Sequence, residues 1–417
     1  MNIEERKNRT LILVSIILMI IILVGGSCLI WPTVFKTTRE QPTPTRKATQ
    51  TTDYNIQLIK EINKTSKNNY LVSPYSIEIA LNMLREGTDG ETREQIEKLI
   101  GNRDINYFKT DNKINMANGV FVNEQYKNNV LRSYYKTLRN KYNSDIIYDK
   151  FENPKAVNEW VNKKTNGMIP STLNRLNQED LLVLVNALAI DVEWKSGFEC
   201  DRTYSEEFTK LDGSKYAVSM MHQTYSSDVK YFEDKDAKGV IIPYKAYDKE
   251  GNQLEFIGIL PNDNANKYVS ELTKEKLDNI YKIAKKATYD KEVVLSLPSF
   301  KYDYEVSNLI GNLKNLGIKN VFMEGGADLS KMIDIPSHVS QVIHKAHIEL
   351  EEKGTKAAAV TAIVVTKDTA VIDETENFEI EFNKPFVYMI RDEKTKEMLF
   401  FGVVYEPNKW NGSTCTK

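Results

Sequence analysis

The chain has 417 residues, 41% of them hydrophobic and 27% charged, with a formal net charge of −2. That composition can fill a core and excludes wholesale disorder. Lys and Arg are interleaved with Asp and Glu throughout, so there is no basic stripe and no nucleic-acid partner is expected.

Residues Leu11 to Trp31, within "RKNRTLILVSIILMIIILVGGSCLIW", run almost without polarity for about the twenty residues that a helix needs to cross a bilayer. Arg6, Lys7 and Arg9 precede the run, which predicts a cytoplasmic N-terminus and an external body. Residues 1–35 are therefore expected to be a membrane anchor or signal segment. "GGSC" leaves two alternatives open. Cys28 could be a lipoprotein site, although Gly25 stands where that pattern has Leu, Val or Ile, or the segment could be a cleaved signal. All three place the body outside the cytoplasm. Residues 36–52, rich in Thr and Pro, read as a tether. Residues 53–409 read as one domain, and 410–417 as a polar tail.

In chain order, "NIQLIKEINK" and "SIEIALNMLREG" carry apolar residues at helical spacing, the second opening after Ser73-Pro74 and closing at Gly87. "GETREQIEKLIG" predicts another helix with Thr92 as its cap, and "NEWVNKKTNG" ends in the Gly expected after a helix. "DLLVLVNALAIDVEW", "KGVIIPY", "LEFIGILP" and "EVVLSLPSF" read as strands, several buried on both faces. "SNLIGNLKNLGI" is one more amphipathic helix. "FVYMIRDEKTKEMLFFGVVY" predicts a hairpin near the C-terminus. Helices first and strands mainly later indicate an α+β body with large mixed or antiparallel sheets.

Cys28, Cys200 and Cys415 lie far apart without metal-ligand spacing, which excludes a disulfide framework. A Cys200–Cys415 bridge is conceivable but disfavoured by the position of Cys415 in the tail. The sequence has no G-x-S-x-G, H-E-x-x-H, G-x-x-x-x-G-K-[ST] or G-x-G-x-x-G. "SYYK", "SDVK" and "KSG" match fragments of the penicillin-recognising serine enzymes, as chance allows in a lysine-rich chain. His344 and His347 in "HKAH" stand on a strand pattern that sends them to opposite faces, so a satisfied core imidazole is expected rather than a metal ligand. No catalytic residues, metal or cofactor are expected.

One stretch resists this bland reading. In "EEKGTKAAAVTAIVVTKDTA", residues Glu351 to Ala370, Ala357 to Val365 reads as a buried strand yet is framed by charge on both sides. The wider sequence explains it. "LVSPYSIEIALNMLREGTDGETREQI", "NEWVNKKTNGMIP", "LVLVNALAIDVEWKSGF", "VIHKAHIELEEKGTKAAAVTA", "FNKPFVYMIRD" and "LFFGVVYEP" resemble the serpin family in order and spacing from Asp53 to Pro407. The resemblance implies three β-sheets, eight or nine helices and an exposed reactive loop. It also implies a monomeric suicide inhibitor that traps its target protease in a 1:1 covalent complex when the cleaved loop inserts into the main sheet. A non-inhibitory carrier on the same fold is the alternative.

Insertion requires alternate residues to pack inward without charge. Counted from Thr355, the inward face is Thr355, Ala357, Ala359, Thr361, Ile363 and Val365. Lys356, where most relatives are acidic, then points outward with Ala358, Val360, Ala362, Val364 and Thr366. By the resemblance the hinge is Gly354, Thr355, Ala357, Ala358, Ala359 and Thr361. Trp194, Ser73, Ser76, Asn186 and His344 match the positions where the sheet opens. The reactive bond falls at Asp368–Thr369, which suits an Asp-cleaving protease, or at Lys367–Asp368, which suits a trypsin-like one. Thr366 or Thr369 would suit an elastase-like or subtilisin-like enzyme.

Overall fold

A computed structural model describes residues 48–102, 105, 113–171, 173, 175–355 and 377–410. The chain divides into two units, Met1–Lys47 and Ala48–Lys417. The expected membrane segment with Cys28, and most of the tether, lie outside the described residues. Among the described residues no helix is long and apolar enough to cross a membrane.

Helix α1 (Ala48–Asn63) begins inside the segment expected to be tether. Its buried Tyr54, Leu58, Ile59 and Ile62 anchor the later turns, and a helix so nucleated extends backward at little cost. Helix α2 (Pro74–Glu86) starts as expected: Ser73 is its N-cap, accepting the Ser76 N–H at 3.1 Å, and Pro74 occupies the first turn. In α3 (Gly90–Ile100) the cap differs from expectation. Asp89 takes the N-cap position without a side-chain cap bond, and Thr92 lies within the helix. The Thr92 hydroxyl turns inward and accepts the Asp328 N–H at 3.0 Å, so its hydrogen-bonding capacity serves a tertiary contact.

Helix α4 (Arg132–Tyr142), not marked in the sequence, buries only Tyr134, Leu138 and Tyr142, a stripe one residue wide. Helices α5 (Lys155–Lys164), α6 (Ala265–Ser270), α7 (Lys274–Ile283) and α8 (Leu309–Asn315) complete the α-helices among the described residues.

Three sheets form among the described residues. The first is antiparallel: β1 (Tyr70–Val72), β18 (Met398–Val404), β17 (Phe386–Asp392), β10 (Gln253–Pro261), β9 (Ala237–Ala246), β8 (Lys230–Glu233) and β11 (Lys285–Lys286). Its β17–β18 pair is the hairpin expected near the C-terminus. The second has the order β16 (Phe378–Glu381), β12 (Val293–Pro298), β7 (Lys215–Tyr225) and β6 (Thr203–Thr209). The third is mixed: β3 (Asp145–Asp149), β2 (Ile114–Asn123), β4 (Leu182–Ile190), β14 (Gln341–Glu351), β15 (Gly354–Thr355) and β5 (Val192–Glu193), with β13 (Phe300–Glu305) also on β14.

Every residue of β4 is buried, as its continuous apolar run predicts for a strand covered on both faces. Val183, Val185, Ala187 and Ala189 pack with Val157 and Val161 of α5. Leu184, of opposite parity, joins the cluster that holds Ile77, Leu81 and Leu84 of α2. Cys200 is disulfide-bonded, and its partner lies outside the described residues. That corrects the expectation that a bridge from Cys200 is disfavoured, because separation along the sequence sets no limit on distance in space.

Candidate functional site

The mixed sheet carries an unusual join. Over Gln341–Ala346, β14 pairs directly and in parallel with Val183–Leu188 of β4. At its far end β14 pairs instead with β15, antiparallel, and β15 in turn pairs with β5. A two-residue strand is therefore wedged between β14 and β5, the strand that follows β4 in the chain, whereas lower down β14 pairs with β4 directly.

The wedge is tightly held. Thr355 is 1% exposed, and its hydroxyl meets the Tyr244 hydroxyl at 2.6 Å. Tyr244 stacks on Trp194 with ring centroids 4.3 Å apart. The Trp194 backbone N–H donates to Lys353 O at 2.9 Å, its indole N–H donates to Glu351 O at 3.0 Å, and the Phe198 N–H donates to Glu352 O at 2.9 Å. A Cβ on Gly354 would fall 2.2 Å from Val192 O, so only glycine fits that rung. The turn leading from β14 into the loop is thus bound by three donors from the segment after β5. Tyr244 was not marked in the sequence, and an aromatic in "KGVIIPY" carries no signal beyond strand propensity.

Charge collects on the outer face of β14. His347 Nδ1 lies 2.9 Å from Asp303 Oδ1, and Lys301 Nζ donates to Glu349 Oε1 at 2.9 Å. His347 and Lys301 hold the Glu349 carboxyl well below the usual range, while burial and the Glu349 charge push Glu351 up.

The inner face carries the polar cluster. His344 on β14 stands opposite Asn186 on β4. The Ser73 N–H donates to His344 Nε2 at 3.1 Å, so Nδ1 carries the proton and donates to Asn186 Oδ1 at 3.2 Å. The same Asn186 oxygen accepts the Ser76 hydroxyl, and Asn186 Nδ2 donates to Asn118 Oδ1 at 2.6 Å. Four of the expected residues therefore meet, and Asn118 joins them. Its signal was a polar residue in the apolar run "NMANGVFV" of β2, in register with Asn186. A void of about 10 Å³ lies alongside, lined by Leu184, Leu309, Leu313, Val342 and His344 among others, so the α2–sheet contact is not fully filled at the β4–β14 seam. His347, on the opposite face, takes no part, as the strand parity required.

Burial lowers the His344 pKa from 6.5 to about 3. Above 6.5 neither native nor unfolded chain protonates there. Between the two values the unfolded chain binds a proton that the native chain refuses, so stability is lost as the pH is lowered, by up to about 1.4 kcal/mol per unit. Urea unfolding between pH 7 and pH 4 should show this slope, and His344→Gln should flatten it by that amount; an unchanged slope would contradict the buried neutral imidazole.

The remaining hinge positions Ala357, Ala358, Ala359 and Thr361, and the candidate bonds at Lys367, Asp368 and Thr369, lie outside the described residues.

Residues 49–407 match the family model described as Serpin (serine protease inhibitor). A leukocyte elastase inhibitor of Equus caballus is 30% identical over 389 residues, covering 86% of this chain and 99% of that protein. The native-state crystal structure of tengpin, a thermophilic serpin, is similar with a TM-score of 0.74 at 31% identity, covering 86% of this chain and 93% of its own. Thyroxine-binding globulin in complex with thyroxine has the same fold, with a TM-score of 0.72 at 22% identity, covering 86% of this chain and 98% of its own.

Proposed function

The chain belongs to the serpin family, and from that premise we propose that it is an inhibitor of serine-type proteases that acts as a suicide substrate. Cysteine-type targets fit the same scheme. The observation that carries the reading is the wedge: β4 and β14 are joined directly, and β15 already occupies the first rung between β14 and β5.

The chemistry follows from the topology. The protease nucleophile attacks the carbonyl carbon of Asp368, or of Lys367. The peptide bond breaks, the new amino terminus leaves, and an acyl-enzyme remains on the loop. The departing segment stays in the fold, because Phe378–Glu381 is paired with β12. The freed segment continues the direction of β15, antiparallel to β14 and hence also to the parallel β4. Its insertion exchanges one β4–β14 ladder for two, a net gain of backbone pairing and apolar burial. Thr355 already faces inward, so Ala357, Ala359 and Thr361 follow it inward and Lys356 faces out. Ser73, Ser76, Asn186 and His344 hold the seam shut until the new strand replaces their cross-strand bonds.

The apolar run Leu11–Trp31 behind Arg6, Lys7 and Arg9 supports a location outside the cytoplasm, attached to the membrane by residues 1–35, with lipidation at Cys28 or secretion as alternatives. A second reading, a binding protein on the same fold, is favoured by the likeness to thyroxine-binding globulin.

Progress curves separate the two readings. Full-length protein mixed with trypsin-like, elastase-like, subtilisin-like and Asp-cleaving proteases should stop one of them at near-equimolar ratio, with no recovery on dilution. Turnover of the loop by every enzyme, with activity undiminished, would favour the binding protein.

A further inference from the structure

Away from the wedge, the chain after α8 folds around an open cavity. Gly317 takes a φ of 103°, in the left-handed region, and the Leu316, Gly317 and Ile318 N–H groups bond back to the Asn312, Lys314 and Leu313 carbonyls. The chain therefore reverses between Lys314 and Lys319. Both lysines line the same cavity, of about 480 Å³, together with Asn315, Phe322 and Met323. That volume lies in the range of small-molecule sites.

The cavity is held in shape from behind. The Lys319 and Asn320 N–H groups both donate to Gln95 Oε1 of α3, at 2.8 and 2.9 Å, and the Val339 N–H donates to Val321 O at 2.9 Å. Phe322 is buried, whereas Met323 is 50% exposed. The Met323 thioether lies over Gly326, where a Cβ would fall 2.8 Å from Sδ. The apolar part of the lining is thus an aromatic ring and a polarizable sulfur, a pair that suits an aromatic guest. The polar part is cationic, because neither Lys314 nor Lys319 forms an ion pair among the described residues. Glu61, which touches Asn315, is already engaged: it accepts from Lys64 at 2.5 Å and from Asn315 Nδ2 at 2.6 Å. Glu324, next to Met323 in the chain, does not line the cavity.

We propose that this cavity is a binding site for a small aromatic carboxylate, with the ring against Phe322 and Met323 and the carboxylate held by Lys314 and Lys319. Charge and lining together select that class: a neutral aromatic leaves two lysines without a counter-ion, and an aromatic cation meets like charge. The site goes beyond the inhibitor reading and stands apart from it, since none of its lining residues belongs to the wedge, the polar cluster or β16.

The test titrates the full-length protein, in lipid nanodiscs and isotope-labelled at its methionine methyl groups, with phenylbutyrate. Phenylbutylamine, of similar body and opposite charge, is the control. The Met323 methyl resonance, identified by its loss in Met323→Leu, reports on this site alone. Phenylbutyrate should shift it saturably, with a dissociation constant on the order of 0.1 mM, and the amine should not. K314Q/K319Q should weaken binding about ten-fold at about 0.02 M salt, and the gap should close near about 0.5 M. Both lysines are exposed, so the thermal midpoint should stay unchanged; if it falls, K319Q alone carries the comparison, with a decrease of about three-fold. No saturable shift up to about 5 mM, equal affinity for the amine, or wild-type binding by the lysine variants would each overturn the site. Covalent trapping is read separately, so failure here leaves the inhibitor reading untouched and failure of trapping leaves the site.

Discussion

Thr355→Arg should abolish covalent trapping and turn the protein into a plain substrate. Thr355, the inward hinge residue among the described residues, is already seated, 1% exposed and hydrogen-bonded to Tyr244. An arginine there either buries an unpaired guanidinium, at a cost of several kcal/mol, or pulls the first rung out of the sheet. In both cases insertion slows while hydrolysis of the acyl-enzyme does not. One power of ten in the ratio of those rates corresponds to about 1.4 kcal/mol, so a penalty of this size leaves only a trace of complex. Thr355→Ser, which keeps the hydroxyl for Tyr244, should trap almost as wild type does. Lys356→Glu should also trap, since its side chain would face solvent in the inserted strand. Densitometry of complex against cleaved chain measures the partition, and persistent complex with Thr355→Arg would sink the insertion model.

The second large effect is on stability. Cleaving the loop with a protease that is not itself trapped should raise the thermal midpoint steeply. The inserted strand adds a ladder on each side and buries Ala357, Ala359 and Thr361 beyond the two-residue β15 that the described residues of the intact chain hold in place. At about 2 °C per kcal/mol, a rise of about 20 °C corresponds to roughly 10 kcal/mol released. Scanning calorimetry of intact and cleaved protein reads this directly. Unchanged midpoints would mean that the loop stays outside the sheet after cleavage, as a relaxed binding protein would allow. Both samples are scanned at the same rate, so that any kinetic control of unfolding acts equally on the two.

Much of the architecture was legible in the sequence because its signals were strong and local. The buried run "LVLVNALAI" gave β4, Ser73-Pro74 gave the start of α2, and the two arms around "RDEKTKE" gave the final hairpin. Asn186 and His344 were marked by the family resemblance, and pairing brought them opposite one another. What escaped had weak or distributed signals. Helix α4 buries a stripe of three residues among polar ones. Thr92 obeys the capping pattern, yet its hydroxyl is used by a residue more than two hundred positions away. Tyr244 gains its role only from the stack on Trp194 and the bond to Thr355. The cavity shared by Lys314 and Lys319 depends on Gln95 holding the backbone at Lys319, which the sequence around either lysine does not reveal. The Cys200 disulfide was disfavoured from the sequence, since pairing is decided by where the chain returns in space.

The most direct measurement is the intact mass of the product formed when the full-length protein meets the protease it stops. After reduction of the Cys200 disulfide, the expected result is one species resistant to denaturant, whose mass equals protease plus inhibitor less the C-terminal peptide that begins at Thr369 or at Asp368. Cleaved inhibitor and free protease alone, with no covalent species at any time point, would contradict inhibition by loop insertion.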